Sequence, residues 1–102
     1  MNKKFFRKNK KTKYHPALVL SEGNKYWVNM DLTDSPVKNN RYIKLKNNPN
    51  LKSGNTAYLR KHLNVDPIRT RSDCLKKYKL SKYDENQVDD FIKQHFARKK
   101  DK

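Results

Sequence analysis

Apolar positions in this chain fall into short alternating runs separated by turn formers, and only near the C-terminus does the period lengthen. Residues 16–21 carry Ala17-Leu18-Val19-Leu20 behind Pro16, which has no N–H to donate and so suits the first residue of a strand. The turn Glu22-Gly23-Asn24 follows. Residues 25–32 then place Tyr26, Val28 and Met30 on one side and Trp27, Asn29 and Asp31 on the other, the period of a half-buried strand. Together the two segments predict an antiparallel hairpin. Residues 41–46 repeat the pattern with Tyr42, Ile43 and Leu45 among cations, and stop at Asn47-Asn48-Pro49-Asn50, which favour turn backbone. Shorter runs over 56–60 and 65–69 read as a fourth and fifth strand, the last at an edge or bulge because of Asp66-Pro67.

Beyond residue 80 the pattern becomes helical. Ser81-Lys82-Tyr83-Asp84 has the spacing of a capping box, in which the serine hydroxyl accepts a first-turn N–H. Val88, Phe91, Ile92, His95 and Phe96 then share one face of a helix spanning about residues 82–97. The paired acids Asp84-Glu85 and Asp89-Asp90 read as solvating, dipole-complementing residues on its polar side. The expected fold is mainly β with a C-terminal helix, a small bent barrel whose apolar face the helix covers.

Charge divides the chain further. Its 102 residues allow one domain, and 26 Lys+Arg against 10 Asp+Glu give a formal net charge of +16. Lys3, Lys4, Arg7, Lys8, Lys10, Lys11 and Lys13 crowd residues 1–15 without an acid, so that stretch reads as a solvated basic arm. Residues 16–96 are then the folded domain and 97–102 a basic tail. Such a balance points to a polyanionic partner. No apolar run approaches the length of a spanning helix, and Phe5 and Phe6 alone stand where a signal peptide needs an apolar stretch, so a cytoplasmic protein off the membrane is expected. The single Cys74 excludes an internal disulfide and reads as a small packed side chain. No Cys/His cluster has metal-ligand spacing, and two glycines, Gly23 and Gly54, provide no phosphate loop. No cofactor is expected.

The remaining chemistry sits at one junction. His15 stands directly before the first predicted strand, and Thr33-Asp34-Ser35 follows the second, so hairpin pairing brings His15 and Thr33 to the same end. Taken singly, His15 fits an exposed linker residue and Thr33-Asp34-Ser35 a Ser/Thr turn; together they form a constellation able to hold a phosphate and move a proton. His95 reads as a packed helix residue, and His62, beside Arg60 and Lys61, as an exposed or phosphate-facing one. Cations and aromatic residues interleave, the pattern that grips unpaired bases and phosphates, and Lys13, Tyr14, Arg41, Lys44, Tyr58, Arg60, Arg69 and Arg71 are the expected RNA contacts. Single-stranded RNA is the favoured partner because its bases splay out and its 2′-OH is a built-in nucleophile.

The order of these segments resembles the MazF/PemK family of toxin endoribonucleases over about residues 14–96. The matching pieces are His15-Pro16-Ala17-Leu18-Val19-Leu20-Ser21, where the family has Arg-Pro before a hydrophobic strand, then Asp31-Leu32-Thr33, Pro67-Ile68-Arg69-Thr70-Arg71 and Leu80-Ser81. The resemblance implies an SH3-like barrel with a C-terminal helix, 2′,3′-cyclic phosphate products, an antitoxin partner and a homodimer. It places the family's catalytic Arg and Thr at His15 and Thr33. A histidine replaces the always-charged guanidinium, and an imidazole is able to shuttle a proton in 2′-OH attack. The family's first strand has no evident counterpart in residues 3–13. The sequence is thus read as a metal-independent endoribonuclease of toxin–antitoxin type acting on single-stranded RNA. His15 would be its general acid/base, Thr33 with Ser35 would hold the phosphate, and Arg41 or Arg60 would offset developing charge. The alternatives are a non-catalytic SH3-like nucleic-acid-binding accessory protein and a factor bound to ribosomal RNA.

Overall fold

The alternation of residues 25–32 does form a strand, and both of its sides are buried. The computed structural model describes residues 3–10, 13–37 and 39–100. Its elements are β1 (Phe5–Lys10), β2 (Lys13–Glu22), β3 (Tyr26–Thr33), β4 (Tyr42–Lys44), β5 (Tyr58–Arg60), β6 (Asn64–Pro67), β7 (Arg71–Cys74) and α1 (Lys82–Lys100). All pairings are antiparallel, in the order β4-β5-β3-β2-β1-β7. β3 has a forked outer edge: Tyr26 to Asn29 pair with β6, whereas Leu32 and Thr33 pair with β5. A register shift between Val19 and Ser21 of β2 bends the sheet opposite that fork. At the β2–β3 turn the Gly23 N–H bonds the Tyr26 carbonyl at 2.9 Å, and a Cβ there would lie 3.2 Å from that oxygen.

One side of the sheet is apolar. Phe5, Leu18, Met30, Leu32, Ile43, Leu45, Ala57 and Leu59 pack with Val88 of the helix, and Leu75, Tyr78, Leu80, Phe91 and Ile92 close the rim. Each large side chain buried here contributes roughly 1.5–3 kcal/mol. The helix face emerges into solvent by Phe96, which is half exposed. Among the described residues no helix is long and apolar enough to cross a membrane.

The described part of residues 1–15 is not a solvated arm. β1 runs through them, with Phe5 opposite Leu18 in the core and Lys8 opposite His15. The cations hide a strand because Lys8, the buried one, is neutralised from other strands rather than by sequence neighbours. β1 is thus a strand where the sequence showed none, and β7, also unexpected, pairs with it through Phe6–Cys74 and Lys8–Arg71. Cys74 is half-buried rather than a sealed core residue.

Smaller differences have local causes. The first part of 41–46 winds into a 3-10 turn, Asn39–Arg41, although Leu45 remains in the core and its N–H bonds the Ala57 carbonyl. The fifth run shifts to Asn64–Pro67 because Ile68–Thr70 forms a second 3-10 turn, with the Thr70 hydroxyl donating to the Pro67 carbonyl at 2.6 Å. Ser81 caps the helix as its spacing predicted, accepting the Asp84 N–H at 3.2 Å. Asp84, however, is not a solvating acid. It is fully buried and accepts the N–H groups of Lys46 and Asn47 at 2.7 and 3.0 Å and the Ser81 hydroxyl at 2.9 Å, tying the helix to the end of β4.

Candidate functional site

The register alone assembles a row of side chains across the sheet. Lys8 faces His15, Thr33 faces Tyr58, and Tyr58 faces Lys44. The β2–β3 ladder includes Ala17 opposite Asp31, and one same-face step further along that register sets His15 opposite Thr33. Same-face partners on adjacent strands stand about 5 Å apart at Cβ. Lys8, His15, Thr33, Tyr58 and Lys44 thus form one line running from a buried to an exposed end.

At the centre of that line is a cleft of about 220 Å³, with His15, Pro16, Thr33 and Asp34 on one side and Asn48, Asn50 and Ser53 on the other. The half-buried His15 ring makes no hydrogen bond or ion pair among the described residues, so both ring nitrogens are available. Thr33 Oγ1 accepts the Ser35 N–H at 3.1 Å, which orients the hydroxyl and leaves its hydrogen free to donate. Ser35 does not line the cleft. Its hydroxyl donates to Asp34 Oδ1 at 3.1 Å, and Asn55 Nδ2 donates to Asp34 Oδ2 at 3.4 Å, so Ser35 braces Asp34.

The facing wall, read from sequence only as a turn, is fixed by its own side chains. Asn48 Oδ1 accepts the Asn50 N–H at 2.9 Å, and Asn48 Nδ2 donates to the Asn55 carbonyl at 2.8 Å. Ser53 Oγ accepts the Asn55 N–H at 3.2 Å, and Asn50 Oδ1 accepts the Lys52 N–H at 3.2 Å. The Pro49 carbonyl accepts the Lys79 N–H, anchoring the loop on the segment before the helix. Such side-chain-to-backbone bonds hold a loop without regular structure.

The expected RNA contacts divide. Tyr58 and Lys44 extend the row beyond Thr33, Tyr42 meets Tyr58 edge to face at 6.4 Å, and Arg60 faces Tyr42 on the same side. Arg41 is exposed in the 3-10 turn just before β4. Tyr14 is exposed on the opposite face, its ring 5.5 Å from the Arg7 guanidinium. Lys13 lies opposite Lys10, and its side chain is outside the described residues. Arg71 is committed to an ion pair with Glu22 and lies over the Phe6 ring, while Arg69 sits in the 3-10 turn between β6 and β7, so neither lines the cleft. His95 packs beside Phe91 and Phe96, and His62 is exposed.

Behind His15 lies a polar cluster that the sequence did not reveal. Lys8, 3% exposed, places its ammonium 2.7 Å from Asp31 Oδ1, 2.8 Å from Asn29 Oδ1 and 3.2 Å from Asp66 Oδ2. Asn29 Nδ2 also donates to Asp66 at 2.9 Å, and Asn64 Nδ2 to Asn29 at 3.3 Å. The buried ammonium donates to Asn29 and Asp66 and is paired by charge with Asp31. The only available signal was the polar pair Asn29 and Asp31 on a strand side that Trp27 also occupies. Among the described residues no group of three or more His, Cys, Asp or Glu is placed to hold a metal ion.

No family model and no curated protein matches the sequence. In three dimensions the chain is similar to a chain of the solved structure described as an endoribonuclease in complex with its cognate antitoxin from Mycobacterial species. The TM-score is 0.64 at 11% identity, over 92% of this chain and 91% of that one. What the two share is the fold: a mainly antiparallel, barrel-like sheet followed by one C-terminal helix.

Proposed function

We propose that the protein is a toxin-type endoribonuclease that cleaves single-stranded RNA by attack of the substrate's own 2′-OH. The meeting of His15 and Thr33 in one cleft carries this reading. His15 takes the 2′-OH proton, the 2′ oxygen attacks phosphorus, the P–O5′ bond breaks, and a proton returns to the leaving 5′ oxygen. The products are a 2′,3′-cyclic phosphate and a 5′-OH end. Thr33 donates its hydroxyl to a non-bridging oxygen, while Lys44, Arg60 and Arg41 offset the growing negative charge from the outer strands. Because the nucleophile belongs to the substrate, the reaction as proposed needs no metal. Tyr58 and Tyr42 offer rings on which neighbouring bases stack. The structural neighbour is described as bound to its cognate antitoxin; on this reading the present chain too is held inactive by a protein antitoxin, and the proposal includes a cytoplasmic homodimer.

The test is incubation of end-labelled single-stranded RNA with the wild-type protein, His15→Ala and Thr33→Ala, with and without EDTA. Cleavage to cyclic-phosphate ends is expected for the wild type in EDTA, with losses on the order of 10²-fold or more for His15→Ala. Equal cleavage by all three proteins, or loss in EDTA, overturns the mechanism. Tight, salt-dependent binding without turnover would instead assign the same face to a non-catalytic RNA-binding role.

A further inference from the structure

The cleft beside His15 and Thr33 has an unexpected charge. In a chain with 26 Lys+Arg, none of its lining residues is a lysine or arginine, and the one formally charged lining residue is Asp34. A carboxylate repels phosphate, so the part of this space that Asp34 lines suits a group that presents hydrogen-bond donors, while the proposed reaction keeps the phosphate at His15 and Thr33. The cations that suit the backbone, Lys44 and Arg60, lie outside it on β4 and β5.

We infer that the cleft is a base subsite selective for guanine, in which Asp34 accepts the N1–H and N2 amino donors and Asn50 donates to O6. The inference rests on the nuclease reading and deepens it. About 220 Å³ has room for one nucleobase and not for a base pair, which agrees with a single-stranded substrate. Pro16, Ala57 and Tyr78 supply apolar wall, and the polar groups are preset rather than floppy. Asp34 is held at both oxygens by Ser35 and Asn55, using two of about four acceptor positions of a carboxylate. Asn50 uses its oxygen on Lys52, so its amide hydrogens remain to donate. Guanine is the one RNA base whose Watson–Crick edge sets two donors side by side next to an acceptor. Adenine and cytosine offer only an exocyclic amino group there, and uracil a single imide N–H.

Two measurements test this, both with the full chain. Cleavage sites in a randomised single-stranded RNA are sequenced for the wild type and Asp34→Asn. Separately, binding of guanosine, adenosine, cytidine, uridine and inosine 5′-monophosphates is titrated by NMR. A guanine is expected at one fixed position flanking the cut, favoured about tenfold or more over other bases, the scale of a bidentate base contact. Asp34→Asn should lose that preference with its circular dichroism unchanged. Guanosine monophosphate should bind about tenfold tighter than inosine monophosphate, which lacks the N2 amino group. A different base, no preference, or a preference unchanged in Asp34→Asn overturns the subsite. Cleavage without guanine discrimination refutes the subsite and keeps the nuclease, whereas guanine-selective binding without cleavage refutes the nuclease and keeps the subsite.

Discussion

Replacing Lys8 by methionine tests whether the N-terminal strand and the buried cluster behind His15 are integral to the fold. Methionine keeps most of the side chain's length and removes the ammonium, leaving the Asp31 and Asp66 carboxylates without the cation that meets them at 2.7 and 3.2 Å. Breaking a buried pair by removing one partner costs about 3–5 kcal/mol, because the surviving charge stays desolvated. Asp31 is 14% exposed in its side chain and Asp66 30%, so water relieves part of the penalty at Asp66 and the lower end, about 3 kcal/mol, is expected. That is a large share of the roughly 5–15 kcal/mol of a whole domain. For a chain of this size it corresponds to a fall in Tm of about 12–24 °C. Urea unfolding followed by fluorescence reads it directly. Trp27 is the single tryptophan, fully buried, edge-on to Phe6 at 6.5 Å and donating its indole N–H to Thr70 at 3.0 Å. Asp66→Asn should destabilise the wild type but stabilise the Lys8→Met protein, since the carboxylate then keeps its Asn29 hydrogen bond but has lost its counter-ion. A loss below about 1 kcal/mol, or additive single and double changes, refutes the argument and returns residues 1–15 to a solvated arm.

Three further outcomes follow from named contacts. Removing residues 1–10 deletes β1 with Phe5 and exposes the β2 edge, so the truncated chain should lose its cooperative urea transition, whereas a dispensable arm would leave it intact. Asp84→Ala removes the acceptor of the Lys46 and Asn47 N–H groups and the Ser81 hydroxyl, and because these part-buried donors are partly rehydrated it should cost about 1–3 kcal/mol in the same titration; a cost near zero would remove the helix anchor. Tyr58→Ala should weaken single-stranded RNA binding by about 1–3 kcal/mol in fluorescence anisotropy, the scale of one base stack, while Tyr14→Ala on the opposite face should change it little; equal losses would sink the assignment of the RNA face.

The parts of the fold legible in the sequence are those whose determinants lie within one element. The β2–β3 hairpin follows from the apolar run of residues 17–20 and the alternation of 25–32 on either side of Glu22-Gly23-Asn24, and the helix start follows from Ser81 and Asp84 three residues apart. β1 was illegible because its charge is compensated across the sequence: Lys8 finds Asp31 and Asp66 far along the chain, and no local window shows that. β7 was illegible for the same reason, having β1 as its partner. Asp84 shows the limit within a single residue. Its position in the capping box was readable, but its carboxylate's reach to Lys46 and Asn47 depends on how the helix docks. At the site, His15 and Thr33 came together by hairpin logic, while Asn48, Asn50 and Ser53 looked like turn formers because turn formers and cleft walls use the same small polar side chains.

The row across the sheet also constrains where positive charge can act. Lys8 is the Cα partner of His15, yet it is 3% exposed and surrounded by Asp31, Asn29 and Asp66, so its charge is balanced inside the protein and does not reach a phosphate in the cleft. Arg71, on the next strand outward, is held by Glu22. On that side of His15, Lys8 and Arg71 therefore serve the fold. On the other side, Tyr58 and then Lys44 lie one and two strands beyond Thr33, a span of about 10 Å that an extended lysine largely bridges. In the proposed reaction a phosphate at Thr33 is approached by Lys44 from the β4–β5 side, with the imidazole of His15 opposite. In the proposed reaction that asymmetry would assign proton transfer to one wall of the site and charge stabilisation to the other.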